Sequence, residues 1–523
     1  MEPLNCNLFA PGMTPLHRAG LGGLVSTLRW IERTVPEKLR PRGRWGINER
    51  TVTIEWEEGR EEIFLGRLFS LAFQLAKGLI SLPGQYGPVP PPPEVCAALH
   101  NGLVLSFYDH GVQSRGAAGA ARSATYEVDD KPVTYTYLPL KWYKHRRDGC
   151  RDFLKALRGG LPITRSLFPG AIERHAGLGA THVMQPPRLA LPLLFAPVGV
   201  LALKAGGKKV NVRGKRRFKP GAAVLVPDLH DLTSAHLLLP ALLPRNGREC
   251  QIASVTDAAL QAEIRLRASR LLNPELIRSV RCVWHCPSDW NSQLQPPSAV
   301  AEVRVTNDDP RLDQFEMSMK ALIPPAPRKN EKTGEYFWPR SYVRPLVADN
   351  LVAGRPWYAG FSRLMTAQDS VTGNPIRDYL HFERRGLHAM TQEMQWGSPG
   401  EEIVVRAVHE ALRCRYGQIA SENAGNPAAM KNRWNGEYKR QRLALAGAKT
   451  PDAARHALAD LWSRAGSNKV LKDAWPQVLP MFAGDKWQLT RDLALLALAS
   501  YQGKGEDEIV VDTTEGVEKE EES

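Results

Sequence analysis

The sequence predicts an α+β protein in which a mixed strand-and-helix body precedes an all-α helical bundle. Three observations predict it. Upstream of about residue 396, half-buried strand patterns alternate with helix signatures, punctuated by Gly and Pro. From Ser398 the apolar spacing is helical throughout and capping signals recur. The end of the chain, Gly503–Ser523, carries nine acidic residues against two lysines and reads as a disordered acidic tail. The expected organisation is a body over 1–396, a bundle over 397–502 and a tail over 503–523.

In the body, Leu4–Phe9 reads as a short strand. Thr14 before Pro15 starts a helix, with Leu16, Leu21, Leu24, Val25, Leu28 and Ile31 on one face. Thr51–Trp56 alternates Val52, Ile54 and Trp56 with polar residues, a half-buried strand. Glu62–Ile80 reads as a second helix, and Pro88–Pro93 as a rigid polyproline-like linker. Val104–Phe107 and Val133–Leu138 read as strands around a Gly/Ala-rich loop, and Asp148–Arg158 as a short helix. Leu189–Val226 is expected to be strands separated by a basic loop. Thr256–Leu272 reads as a helix, Val300–Thr306 as a strand and Pro324–Arg344 as a long exposed loop or hairpin. A helix follows PWYAGF in Arg355–Met365, and Pro375–Met394 reads as helical.

The bundle is expected to hold five helices. Ser398-Pro399-Gly400-Glu401 is a capping box with proline at the first helical position, opening a helix to about Gly417. Asn426-Pro427 and Thr450-Pro451 start the second and third. Ser467 opens a fourth, and Trp487–Tyr501 forms the fifth.

The chain has 523 residues, 43% of them apolar, enough for two or three cored domains. A net +14 for the whole chain and −7 for the tail leave +21 for the rest. Such an excess favours polyanions, because each neutralised phosphate releases condensed counterions. Seven scattered cysteines make no disulfide framework and suit a reducing cytoplasm. The N-terminus carries no signal-peptide pattern and no 18-residue apolar run occurs, which speaks against a membrane.

The charge is clustered. Lys204–Lys219 holds eight basic residues and no acid, among them Lys208, Lys209, Arg213, Lys215, Arg216, Arg217 and Lys219. Its glycines suit a mobile hairpin tip that approaches a phosphate backbone; the plainer reading is a solvated surface loop. Lys141–Lys155 mixes Lys144, Arg146 and Arg147 with Trp142 and Tyr143, cations for phosphates and rings for bases unless the rings are core. Arg328–Arg344 combines Arg328, Lys329, Lys332 and Arg340 with Asn330 and four aromatics. Asn330, with Asn246 and Arg248 in the tight turn after Pro244, has the donors and acceptors that read base edges in a groove. In the bundle's second helix, Lys431, Arg433, Lys439, Arg440 and Arg442 suit a single-strand groove, while Trp434 and Tyr438 read as packing.

Enzyme signals are sparse. His230-Asp231 is the dipeptide of metal phosphohydrolases, but its surroundings read as strand into turn. Cys282 and Cys286 with His285 are a partial zinc pattern lacking a second spaced pair. There is no P-loop, GxSxG or HExxH, so no catalytic residue, metal or cofactor is assigned.

The opening LFAPGMTPLHRAGLGGLVSTLRWIE (8–32), RPWYAGFSRLM (355–365) and FERRGLHAM (382–390) resemble landmarks of a CRISPR-associated large-subunit family. That family belongs to type I Cascade complexes, with subtype I-B and I-A-like forms, and the C-terminal helices look like the Cascade small subunit. The resemblance implies a non-catalytic subunit that reads the protospacer-adjacent motif in duplex DNA, helps to open the duplex and holds the displaced strand. Sequence itself is read by guide-RNA pairing. The implied partners are guide RNA, target double-stranded DNA, the Cascade backbone and handle-binding subunits, a small subunit, and a recruited nuclease or transposition adaptor. In some relatives the small subunit arises from an internal start; Met390 or Met394 would open such a product just before Ser398. Two alternatives stand beside this reading: a metal-dependent nuclease using His230 and Asp231, and an RNA-binding assembly scaffold that does not read DNA.

Overall fold

The computed structural model describes residues 3–109, 114–116, 120–162, 167, 184–212, 215–286, 298–322, 327–329, 334, 336–369 and 373–503. As predicted, strands and helices mix in the N-terminal part and the C-terminal part is helical. The chain divides into two compact units. The first is built from Met1–Glu316 and Pro324–Val352, the second chiefly from Ala353–Asp369 and the residues from Gly373 on.

The principal elements of the first unit are β1 (Leu4–Asn7), α1 (Pro15–Thr34), β2 (Gly43–Ile47), β3 (Thr51–Trp56), α2 (Glu61–Ala72), β4 (Gln74–Ala76) and β5 (Leu79–Ser81). They continue with α3 (Pro93–Ser106), β6 (Arg122–Val128), β7 (Lys131–Tyr137), α4 (Lys144–Gly159) and α5 (Pro187–Leu194). Then come β8 (Leu201–Val212), β9 (Lys215–Leu229), α6 (Val255–Ala268), β10 (Ile277–His285), β11 (Ser298–Arg304) and α7 (Arg344–Val352).

α1 is the buried axis. The six apolar positions read from its spacing are all at or below 1% exposure. Its start is capped by Thr14, whose hydroxyl accepts from the His17 backbone N–H. Gly20 and Gly23 let backbone approach backbone: a Cβ on Gly20 would stand 2.0 Å from the Pro192 carbonyl oxygen. β8, β9, β10 and β11 form an antiparallel sheet in that order, and α1, α3 and α6 pack against it. β8 and β9 outrun their neighbour: β10 pairs with Ala222–Leu229, while among the described residues Lys208–Val212 and Lys215–Lys219 pair only with each other. A register shift between Ala205 and Lys208, with Pro220 facing the extra glycines, separates sheet from extension.

Several expectations are corrected. The helix expected over 62–80 stops at Ala72, because Lys77 (φ 53°) and Gly78 (φ 86°) turn the chain into the β4–β5 hairpin. Val104–Phe107 is not a strand but the end of α3, which starts with Pro93 at its first turn; a short apolar run does not tell helix from strand. The first part of Leu189–Val226 is likewise helical, α5, with Pro187 at its first turn. Residues 376–382 form two 3-10 turns before the helix of 384–393.

The second unit contains α8 (Phe361–Thr366), α9 (Arg384–Glu393), α10 (Pro399–Glu422), α11 (Pro427–Gly447), α12 (Pro451–Ala465), α13 (Lys469–Val478) and α14 (Lys486–Ser500). The caps explain the starts. Ser398 and Glu401 close the predicted capping box, with Glu401 Oε2 accepting from the Ser398 N–H at 3.2 Å. Asn426 and Thr450 cap α11 and α12; Asn468, not Ser467, caps α13. α14 is the hub, buried continuously from Asp492 to Ser500. Asp492 accepts from the Gly360 and Ser362 N–H groups at 2.6 and 3.0 Å, so residues upstream of Ser398 belong to this helical unit. Among the described residues no helix is long and apolar enough to cross a membrane.

Candidate nucleic-acid interface

The long β8–β9 hairpin carries the densest positive charge. The strands run through the expected basic loop, because Val210, Val212 and Phe218 supply extended-chain propensity. Lys208 stands opposite Lys219, Asn211 opposite Arg216, Val210 opposite Arg217 and Val212 opposite Lys215; Lys209 faces Phe218. Arg213 lies outside the described residues.

At the root of this hairpin is a cavity of about 460 Å³. Its polar lining includes Asn101 from α3, Thr134 and Thr136 from β7, Lys204 from β8, Gln251 and Arg340. Lys204 is exposed. Trp284 of β10 fixes the hairpin root by donating its indole N–H to the Gly206 carbonyl at 2.8 Å. The Arg340 guanidinium lies over Gly206 and 4.8 Å from the Tyr342 ring. Tyr336–Phe337 holds the preceding segment in place by pairing in parallel with β7, Tyr336 opposite Val133.

The turn after Pro244 joins the same wall. Trp338 and Gln251 line the cavity, and the Arg248 guanidinium sits 5.2 Å from the Trp338 ring. Tyr135 donates its hydroxyl to the Gly247 carbonyl and accepts from Gln251 Nε2 at 2.9 Å. Three charged segments, 204–219, 245–248 and 328–344, therefore meet at one place. Asn246 acts locally, its side-chain oxygen accepting from the Glu249 N–H at 3.1 Å as the cap of a 3-10 turn. Lys329 is exposed, the Arg328 backbone pairs with Phe337, and Asn330 and Lys332 lie outside the described residues.

The 141–155 segment does not line the cavity. It runs from a short strand, Leu140–Tyr143, into α4, where Lys144 pairs with Asp152 at 3.8 Å and Arg147 with Asp148 at 2.9 Å. Arg147 also stacks 3.6 Å over Trp142, while Tyr143 is buried and donates to the Gln74 carbonyl. Arg146 is exposed.

The helical unit sorts its basic residues similarly. Arg433 pairs with Glu422 at 2.8 Å and Arg440 with Asp460 at 3.8 Å. Lys439 is exposed and Lys431 half-buried. Trp434 donates to the Tyr416 carbonyl at 3.2 Å, so packing accounts for it.

His230 and Asp231 form a turn. Both Asp231 oxygens are engaged by the backbone N–H and hydroxyl groups of Thr233 and Ser234, at 2.7–3.2 Å. His230 Nδ1 lies 3.2 Å from the Glu275 carbonyl. Among the described residues no group of three or more His, Cys, Asp or Glu is placed to hold a metal. Cys282 and Cys286 are buried, and burial pushes the Cys282 thiol well up.

Sequence reasoning missed Asn101, Thr134 and Thr136 as cavity residues, and Trp284 as the residue that bonds the Gly206 carbonyl. Nothing local marks them; helix packing brings Asn101, and strand pairing the others, to the hairpin root. It also missed Arg377 and Arg384, which stand near Tyr438 of α11.

Comparison with known proteins locates this architecture. The DevT N-terminal domain matches residues 5–194 and the DevT C-terminal domain residues 392–523. The CRISPR-associated protein Cas8a1/Csx13 of Myxococcus xanthus (strain DK1622) is 36% identical over 531 residues, covering 96% of this chain and 89% of the relative. The chain belongs to the Cas8a1/Csx13 family of CRISPR-associated large subunits.

Proposed function

We propose that this chain is the non-catalytic large subunit of a guide-RNA-directed, DNA-targeting Cascade complex. In this reading the first unit engages duplex DNA beside the guide-matched segment, reads the protospacer-adjacent motif and helps to part the strands. The helical unit holds the displaced strand. The partners are guide RNA, target DNA, the other Cascade subunits and a separately recruited nuclease or transposition adaptor.

The observation that carries the proposal is that two basic segments far apart in sequence, 204–219 and 328–344, line one cavity, with Arg248 beside its Trp338. Lys204 and Arg340 both line it, and the hairpin continues from Lys204. A hairpin of like charges extending beyond its sheet suits a phosphate backbone. Amide and hydroxyl groups on the cavity wall offer the donors and acceptors that base edges require.

The test is duplex binding by the assembled complex carrying Lys204→Ala or Arg340→Ala. Loss of discrimination between flanking motifs supports motif reading at this cavity. Equal binding to every duplex by wild type and variants leaves an RNA-assembly scaffold as the better account.

A further inference from the structure

One face of α11 carries a cation that the fold does not pair. Arg442 follows Tyr438 by one turn, and Lys431 lies on the same side two turns earlier. Arg442 is only 8% exposed. Among the described residues it makes no hydrogen bond, and no carboxylate lies within ion-pair distance. The Tyr438 hydroxyl is equally without a hydrogen-bond partner among them. The groups facing this pair are Arg384, at the start of α9, and Arg377 and Asp378, in the 3-10 turn of 376–378. Asp378 lies 3.5 Å from Arg377 and is that residue's neighbour.

Burial, and then the nearby Arg377 charge, push the Arg442 guanidinium below its usual range. A largely buried cation beside other cations opposes folding unless an anion joins it. The contrast within one helix is informative, since Arg433 and Arg440 have carboxylates to hand.

We propose that Arg442, Tyr438 and Arg377 form an anion site in the helical unit that takes a backbone phosphate of a single-stranded nucleic acid. This rests on the displaced-strand reading above and gives it an anchor. A guanidinium fork with a phenolic O–H supplies directed donors to phosphate oxygens. Lys431, about 16 Å along the helix at 1.5 Å per residue, extends the contact to a further phosphate. A strand thus fits this face better than an isolated anion does.

The test uses the full chain with a fluorescent oligo-dT 20-mer and, separately, inorganic phosphate. Arg442→Met and Tyr438→Phe should each weaken oligo-dT binding at least fivefold, and Arg442→Met should reduce the salt slope by about one unit. Variants of cations paired on other helices, Arg455→Gln (beside Asp452) and Arg406→Gln (beside Glu402), should change binding less than twofold. Arg442→Met should melt at the wild-type temperature or higher, because an unpaired buried charge is removed; a structural arginine would give a lower melting point. Unchanged oligo-dT binding in Arg442→Met overturns the proposal. So does protection by inorganic phosphate that Arg442→Met abolishes while oligo-dT binding persists. Flank preference of the assembled complex reports on the first unit alone, so the wider reading and this anchor fail separately.

Discussion

The Asp257 carboxylate, fully buried at the start of α6, grips the Arg344 guanidinium through both oxygens: Nε donates to Oδ1 at 2.8 Å and Nη2 to Oδ2 at 2.7 Å. Arg344 is the first residue of α7 and the last of the basic 328–344 segment. The pair therefore pins the segment that carries Arg340 to the helix behind the sheet. Asp257 also accepts from the Ala253 N–H and Gln261, which satisfies its remaining lone pairs. Arg344→Met should destabilise the first unit by about 3–5 kcal/mol, since it leaves a buried carboxylate uncompensated. Chemical unfolding of Arg344→Met, Asp257→Asn and the double variant measures this; additive losses would show that the pair is not coupled.

Glu263 gives the first unit a pH dependence. Burial, reinforced by the Asp309 carboxylate and opposed by Arg311, pushes its carboxyl up to about 8. Its Oε1 has no hydrogen-bond partner among the described residues. The folded state therefore holds a proton that the unfolded chain releases near its ordinary value of 4.5. The resulting stability is complete below about pH 4.5 and is lost as pH rises to about 8. Glu263→Gln should be the more stable protein at pH 9, by an amount on the order of 4 kcal/mol. Melting curves of both proteins from pH 5 to 9 that stay parallel would contradict this.

Close backbone contact makes Gly199 intolerant. A Cβ there would stand 1.8 Å from the Ala19 carbonyl oxygen of α1, and backbone on both sides cannot step aside. Gly199→Ala should destabilise by ~3 kcal/mol or more. Gly46→Ala, with nothing within 4 Å of its Cβ, should cost little. Equal melting points for the two variants would refute the close-packing account.

The hairpin should act through phosphates. Reversing charge at Lys215, Arg216 and Arg217 should weaken duplex binding by the complex and flatten its salt dependence by about one unit per lost contact. An unchanged slope would place the hairpin away from DNA. Asn246→Ala is expected to lower stability by about 1 kcal/mol through its lost cap and, if its amide also reads bases, to change flank preference.

Local signals made much of the fold legible. Thr14-Pro15, the Ser398 box and Asn426-Pro427 fix helix starts through groups that are neighbours in sequence. The misreadings arose where local pattern is ambiguous. Leu103-Val104-Leu105 suits strand or helix, and Lys77 enters a turn through a left-handed backbone that lysine rarely adopts. The site was legible only as charge. That segments 204–219, 245–248 and 328–344 meet depends on Tyr336 pairing with Val133 and Trp284 holding Gly206, contacts that span the chain. The role of α8 was hidden likewise, since Asp492 caps it from the far end of the unit. A product starting at Met390 would lack α8 and leave Asp492 without these donors.

The most direct measurement is binding of the complex, co-assembled with its neighbouring subunits and guide RNA, to duplexes bearing randomised bases beside the guide-matched segment. The account predicts enrichment of a short flanking motif that disappears when this chain is left out. Tight binding with no flank preference, or a preference that survives without this chain, would contradict it.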